Sequence, residues 1–245
     1  MGWKDNRLRQ LGPNPDICKM NILLTAATAQ EIAPAMDFIG SRPGLGAGSP
    51  VGILITGVGI AAATYRLTLA IKQHKPDIIL QAGIAGGFGS FEPGMVVAVA
   101  EDLFADLGVW EQGEFKSIFD MQLADRDEFP FTKGILSNPN PDLLRVTALQ
   151  PVRAITVNEI STSAEKIAWY QQNLSPVVES MEGAAFHYVC LQCKIPFLQI
   201  RSVSNRVGER DKTRWRIADS IRSLNEALAL IIQNLLRKDE TKSGV

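Results

Sequence analysis

Two glutamates, an arginine and an asparagine stand where side chains of their kind can do chemistry. Glu31 follows the first apolar run, in Ala29-Gln30-Glu31-Ile32, and Glu182 lies between Val177-Val178-Glu179-Ser180-Met181 and the apolar stretch Gly183-Ala184-Ala185-Phe186. A later apolar run finishes as Arg201-Ser202-Val203-Ser204-Asn205. A carboxylate between two apolar elements is costly unless a donor meets it. For Glu182 that donor is either a pair of adjacent hydroxyls, as on a ribose, or the first N–H groups of the helix that follows. Glu31 either serves a cleft or sits solvated in the first turn of a helix, where the dipole favours it. A polar cluster at the carboxyl end of a strand marks the rim where open α/β sheets bind ligands, although asparagine also fills ordinary turn positions.

Two glycine clusters strengthen the rim reading. Thr56-Gly57-Val58-Gly59 follows one apolar run and opens a helical pattern; Gly83-Ile84-Ala85-Gly86-Gly87 follows the next run. As turns they let the backbone approach a ligand and offer it N–H groups. Neither reads G-x-G-x-x-G or G-x-x-x-x-G-K-[ST], so nicotinamide and ATP are not supported, and no organic cofactor is indicated. His74 and His187 have no partner pattern, which disfavours serine-triad chemistry. The cysteines are Cys18, Cys190 and Cys193. Cys190-x-x-Cys193 lacks two further ligands for zinc, so no metal is expected. Buried structural thiols in a reduced cytoplasm fit better.

The elements that must position these residues follow from hydrophobic pattern. Runs over 21–26, 51–56, 77–82, 94–100, 152–157, 177–181 and 196–203 are rich in Val, Ile and Leu without polar alternation, as in strands buried on both faces. Helical spacing runs over 60–73 (Ile60, Ala63, Leu67, Ala70) and 214–236 (Ile217, Ile221, Leu224, Leu228). The alternation predicts an α/β chain: a single domain over 20–238 with a central, mostly parallel or mixed sheet flanked by helices. Residues 1–19 read as a flexible N-terminal extension, and 108–130 as a long loop of the kind that lies over a site. A net charge of −1 with scattered Lys and Arg argues against a nucleic-acid partner. No apolar run reaches the ~18 residues that span a bilayer.

Taken in order, Ala29-Gln30-Glu31-Ile32, Thr56-Gly57-Val58-Gly59, Gly83-Ile84-Ala85-Gly86-Gly87, Ser180-Met181-Glu182-Gly183-Ala184 and Arg201-Ser202-Val203-Ser204-Asn205 resemble the purine nucleoside phosphorylase and methylthioadenosine nucleosidase superfamily. The resemblance spans roughly residues 20–236. Within it the set is similar to the futalosine hydrolases, a family that releases hypoxanthine from futalosine in menaquinone biosynthesis. The resemblance implies that Glu31 activates the attacking water and Arg201 helps hold it. It implies that Met181 and Glu182 meet the ribose, that Gly86 and the segment from Val157 to Ile160 meet the base, and that the chain forms a homodimer or larger assembly. Asn205 stands where the adenine-releasing nucleosidases carry aspartate. A carboxamide can donate to the O6 of a 6-oxopurine while its carbonyl accepts from protonated N7, so Asn205 favours hypoxanthine. Ile84 stands where adenine nucleosidases often have serine, and no arginine set stands on the glycine clusters to hold phosphate. Phosphorolysis of inosine or guanosine and a nucleoside-binding protein without catalysis are the competing expectations.

Overall fold

The computed structural model describes residues 20–41, 50–89 and 91–242, so the extension expected over 1–19 lies outside the described residues. In chain order the elements are β1 (Ile22–Ala26), α1 (Ala29–Ser41), β2 (Val51–Ile55), α2 (Ile60–His74), β3 (Ile78–Gly87), β4 (Val96–Asp102), β5 (Gly108–Glu111), β6 (Glu114–Ser117), β7 (Leu136–Ser137), α3 (Pro141–Val146), β8 (Gln150–Thr156), α4 (Ala164–Asn173), β9 (Val178–Ser180), α5 (Gly183–Gln192), β10 (Phe197–Arg206) and α6 (Ile217–Lys242). Strand order is β10-β4-β8-β9-β3-β1-β2, and β10 also pairs with β3, so five strands close on themselves. Most pairings are parallel; β10–β4, β3–β9 and β4–β7 are antiparallel. The sheet is therefore mixed, as the pattern predicts.

Unbroken apolar strands work here because both faces of the sheet are covered. Neighbouring residues on a strand point to opposite faces. Leu24, Leu80 and Leu198 meet Ile32 and Ala35 of α1 and Leu224 and Leu228 of α6. Leu23, Ile79 and Phe197, each one residue before, meet Leu67 and Ile71 of α2 and Phe186 and Val189 of α5. Each such large side chain taken from water contributes about 1.5–3 kcal/mol. No described helix is long and apolar enough to cross a membrane.

Three expectations need correction. The Gly83–Gly87 cluster is not a turn: β3 runs through it to Gly87. Its glycines leave space for neighbouring side chains, since a Cβ at Gly83 would stand 2.3 Å from Arg201 Nη1 and one at Gly87 2.8 Å from Val203 Cγ1. The 108–130 segment is not a bare loop. It opens with the β5–β6 hairpin, whose turn residues Gln112 and Gly113 both have positive φ, 54° and 81°, the combination that matches strand twist. Trp110 and Phe115 of that hairpin stack against Trp169 of α4 with ring centres 5.7 and 5.4 Å away. Of the two CxxC thiols, both free, only Cys190 is buried; Cys193 is exposed.

Candidate active site

A cavity of about 330 Å³ opens at the carboxyl ends of the central strands, with Glu31, Gly86, Ile160, Met181, Glu182 and Asn205 among its lining residues. None of residues 108–130 lines it. Its size falls at the lower end of small-molecule sites.

Glu31 is fixed by its own helix start. Thr28 directly precedes α1, and Glu31 Oε2 accepts from the Thr28 backbone N–H and hydroxyl, both at 2.9 Å. The bond to the Thr28 N–H is the one by which the glutamate of a Thr-x-x-Glu sequence reaches back to the helix start. The other oxygen accepts from Ile84 N–H at 3.1 Å, which ties the helix to β3. Glu31 is only 7% exposed, so it is not the solvated first-turn carboxylate of the competing reading. Asn225 of α6 secures the same turn from behind. Its amide accepts from Ala35 N–H at 2.9 Å and donates to the Glu31 carbonyl at 2.8 Å, bridging two backbone groups one helical turn apart, beside Pro34.

Glu182 occupies the position before α5, yet its side chain makes no cap bond. Those N–H groups are served otherwise: Gly183 donates to Ser180 Oγ at 3.2 Å and Ala184 to Thr156 Oγ1 at 2.7 Å. The glutamate is thereby free to cross to the other glycine cluster, where Oε1 accepts from Gly59 N–H at 2.9 Å. Gly59 has φ 93°, a conformation that glycine adopts without cost.

Arg201 stands beside Glu182 rather than lining the cavity. It is 2% exposed. Nη2 donates to Gln81 Oε1 at 3.0 Å, and Nη1 lies 3.8 Å from Glu182 Oε2. The same hypothetical Cβ at Gly83 that meets Nη1 would be 3.0 Å from Glu31 Oε1. The guanidinium thus threads the slot that Gly83 leaves open, with Glu182 as its acidic neighbour. Of the residues expected at the site, Arg201 is thus set behind the cavity wall rather than on it.

Asn205 follows a register shift in the β10–β3 ladder between Val203 and Asn205; bulges of this kind re-aim a side chain. Ser204 Oγ donates to Asn205 Oδ1 at 2.8 Å, and Asn205 Nδ2 donates to the Arg206 carbonyl at 2.9 Å. Each end of the amide keeps one further hydrogen-bonding position. Met181, Gly86 and Ile160 are on the wall, but Val157 is not: it packs with Phe88, Leu103 and Tyr170 in the core. Beyond Val157, Asp106 Oδ2 accepts from Asn158 N–H at 2.6 Å and holds that segment.

Below the start of α5 lies a buried polar layer that sequence reasoning missed. Asp102 accepts from Gln199 Nε2 at 3.1 Å and from Thr156 Oγ1 at 3.0 Å. Burial pushes its carboxyl up to about 6, against the pull of those bonds. Burial also holds His187 down at about 4, and its Nδ1 is 2.9 Å from the Leu136 carbonyl. The sequence signal was present: Asp102 follows the apolar run 96–100 with one residue between, and Gln199 interrupts the apolar start of β10. Among the described residues no group of three or more His, Cys, Asp or Glu is arranged to hold a metal ion.

The arrangement places Glu31, Glu182 and the Asn205 amide on the wall of one small cavity, with a guanidinium behind it. Residues 44–237 match the family model described as the phosphorylase superfamily. A futalosine hydrolase of Streptomyces coelicolor is 30% identical over 229 residues, covering 85% of this chain and 94% of that protein. A 5'-methylthioadenosine/S-adenosylhomocysteine nucleosidase of Shewanella sp. is 28% identical over 195 residues, covering 79% and 81%. The structure of a futalosine hydrolase mutant of Helicobacter pylori superposes with a TM-score of 0.74 at 15% identity, covering 87% of this chain and 99% of that one.

Proposed function

The chain belongs to the phosphorylase superfamily, and from that premise we propose that it is an N-glycosyl hydrolase that splits futalosine into hypoxanthine and dehypoxanthine futalosine, a step of menaquinone biosynthesis. The observation that carries the reading is that Glu31, Glu182 and Asn205 line one cavity. A carboxylate offers about four acceptor positions. Glu31 uses three of them on Thr28 and Ile84, leaving one for the attacking water, whose proton it takes as a general base. Glu182 keeps acceptor capacity beyond Gly59 for the ribose 2′- and 3′-hydroxyls. As the glycosidic bond breaks, the sugar gains positive charge. Two fixed acids beside it stabilise that charge more than they stabilise the ground state. Asn205 donates to O6 and accepts from N7–H of the leaving hypoxanthine, which takes that proton from solvent as the water's own proton passes to Glu31.

Water is favoured over phosphate by charge. Four glutamates and no lysine or arginine stand among the described lining residues, a wall that repels a phosphate dianion. The same carboxylates, each tied to backbone N–H groups, argue against a binding protein without catalysis. Cys190 and Cys193 are free, in keeping with the cytoplasm, and the exposed Val58, Tyr65 and Leu69 offer an apolar face for a homodimer or larger assembly.

The test is incubation with futalosine, inosine and methylthioadenosine, with and without phosphate, following free base. Hypoxanthine is expected from futalosine at the same rate in both buffers. Release that depends on phosphate, or adenine from methylthioadenosine alone, overturns the reading.

A further inference from the structure

The cavity wall holds another buried carboxylate, Glu179, to which the mechanism above gives no task. It is 7% exposed. Glu179 pairs with Gly86 across β9 and β3, and Gly86 pairs on its other side with Asn205 of β10. Glu179 and Asn205 therefore flank one glycine, two strand spacings or roughly 9.5 Å apart. Glu179 Oε1 accepts from Ser161 N–H at 3.1 Å. Its Oε2 has no partner among the described residues. Desolvation raises the pKa of this group, and the negative charge of Asp106 adds to the rise. A buried carboxylate oxygen without a donor is unfavourable, and a ligand N–H would relieve it.

We propose that Glu179 is a specificity-determining residue: its free oxygen accepts the N1–H of a 6-oxopurine, while Asn205 reads O6 and N7 on the same base. The inference rests on the nucleoside reading above and deepens it. A 6-oxopurine carries a hydrogen on N1, whereas a 6-aminopurine presents a lone pair there, which a carboxylate repels. Asn205 by itself discriminates weakly, because a carboxamide that turns over exchanges its donor and acceptor ends. An ionised carboxylate has only acceptors to offer, so Glu179 removes the ambiguity that the amide leaves. Ile160 and Ser161, next to the Glu179 carboxyl, belong to the segment that meets the base in the same reading.

The test is Glu179→Gln in the full chain, with binding of hypoxanthine and adenine measured by calorimetry. Ser161 N–H continues to hold an oxygen, so the new NH₂ takes the place of Oε2 and faces N1–H, donor against donor. The preference of the wild type for hypoxanthine over adenine is expected to fall roughly 10- to 100-fold, the worth of one mispaired buried group. Equal losses for both bases, or an unchanged preference, overturn the proposal and leave Glu179 as an anchor for Ser161 alone. A wild type that binds neither base overturns both this inference and the nucleoside reading. A second measurement does not depend on the variant folding. The wild type is expected to bind 1-methylhypoxanthine, which lacks the N1 hydrogen, at least roughly tenfold more weakly than hypoxanthine, and equal affinity contradicts the assignment.

Discussion

At the end of the cavity proposed to hold the sugar, Glu31 and Glu182 are held by three backbone N–H groups and a threonine hydroxyl, with the Arg201 guanidinium beside Glu182. At the end proposed to hold the base, Asn205 and Glu179 keep hydrogen-bonding positions open. The contrast separates two tasks. Charge that must be in place before the reaction is locked by the fold, because reorganising it during catalysis would cost rate. Groups that recognise a base stay incomplete until the base supplies the missing partner, and that incompleteness is the source of discrimination.

The contrast can be broken most severely at Arg201. Arg201→Met keeps the volume but leaves a buried acid facing no cation. Such removals cost about 3–5 kcal/mol, so the urea midpoint should fall accordingly. A loss under about 1 kcal/mol would mean that the sugar end is not locked by charge. Next in size is Glu182→Ala, for which kcat/KM should drop roughly 10- to 100-fold through both binding and rate; unaltered steady-state kinetics would place this acid outside the ribose contacts. Asn205→Asp should leave turnover possible while moving preference from 6-oxo toward 6-amino purine nucleosides by roughly tenfold or more, read from competition between futalosine and methylthioadenosine. An unmoved preference would refute the division of labour at the base end.

The smallest expected effect concerns the layer beneath both ends. Asp102 is raised to about 6 and His187 lowered to about 4, each chiefly by burial. Between those values folding takes up a proton at Asp102, so its contribution declines as pH rises. Over the same window folding releases a proton from His187, so its contribution grows. The two slopes oppose each other in the wild type. Asp102→Asn removes one of them, and its urea midpoint should climb from pH 4 to 6 more steeply than that of the wild type. Parallel curves would show that the two groups do not offset each other.

The strands were legible in the sequence because residues such as Leu23 and Leu24 are both buried, on opposite faces, which leaves an apolar run with no polar interruption. Glu31, Glu182 and Asn205 were legible because polar groups beside apolar runs demand partners. What could not be read was anything that depends on what packs across a gap. Gly83 looks like a turn until Arg201 is seen in its place beside it. Asn225 lies on the apolar stripe of α6 and reads as an interruption until its bonds to Glu31 and Ala35 are known. The β5–β6 turn uses Gln-Gly, a weaker hairpin signal than Asn-Gly, so its short strands passed for loop. Glu179, like Asp102, was a missed residue with a usable signal, a lone acid inside the otherwise uncharged run 177–181.

The central claim is that Glu31 activates the water for the reaction on a substrate held by the other contacts of the cavity. Mixing Glu31→Gln with futalosine, and following binding and hypoxanthine release in the same sample, tests it most directly. Affinity should stay close to that of the wild type while release slows by about 10²–10⁴-fold, the worth of a positioned base. Hypoxanthine released at nearly the wild-type rate, or futalosine no longer bound, would contradict it.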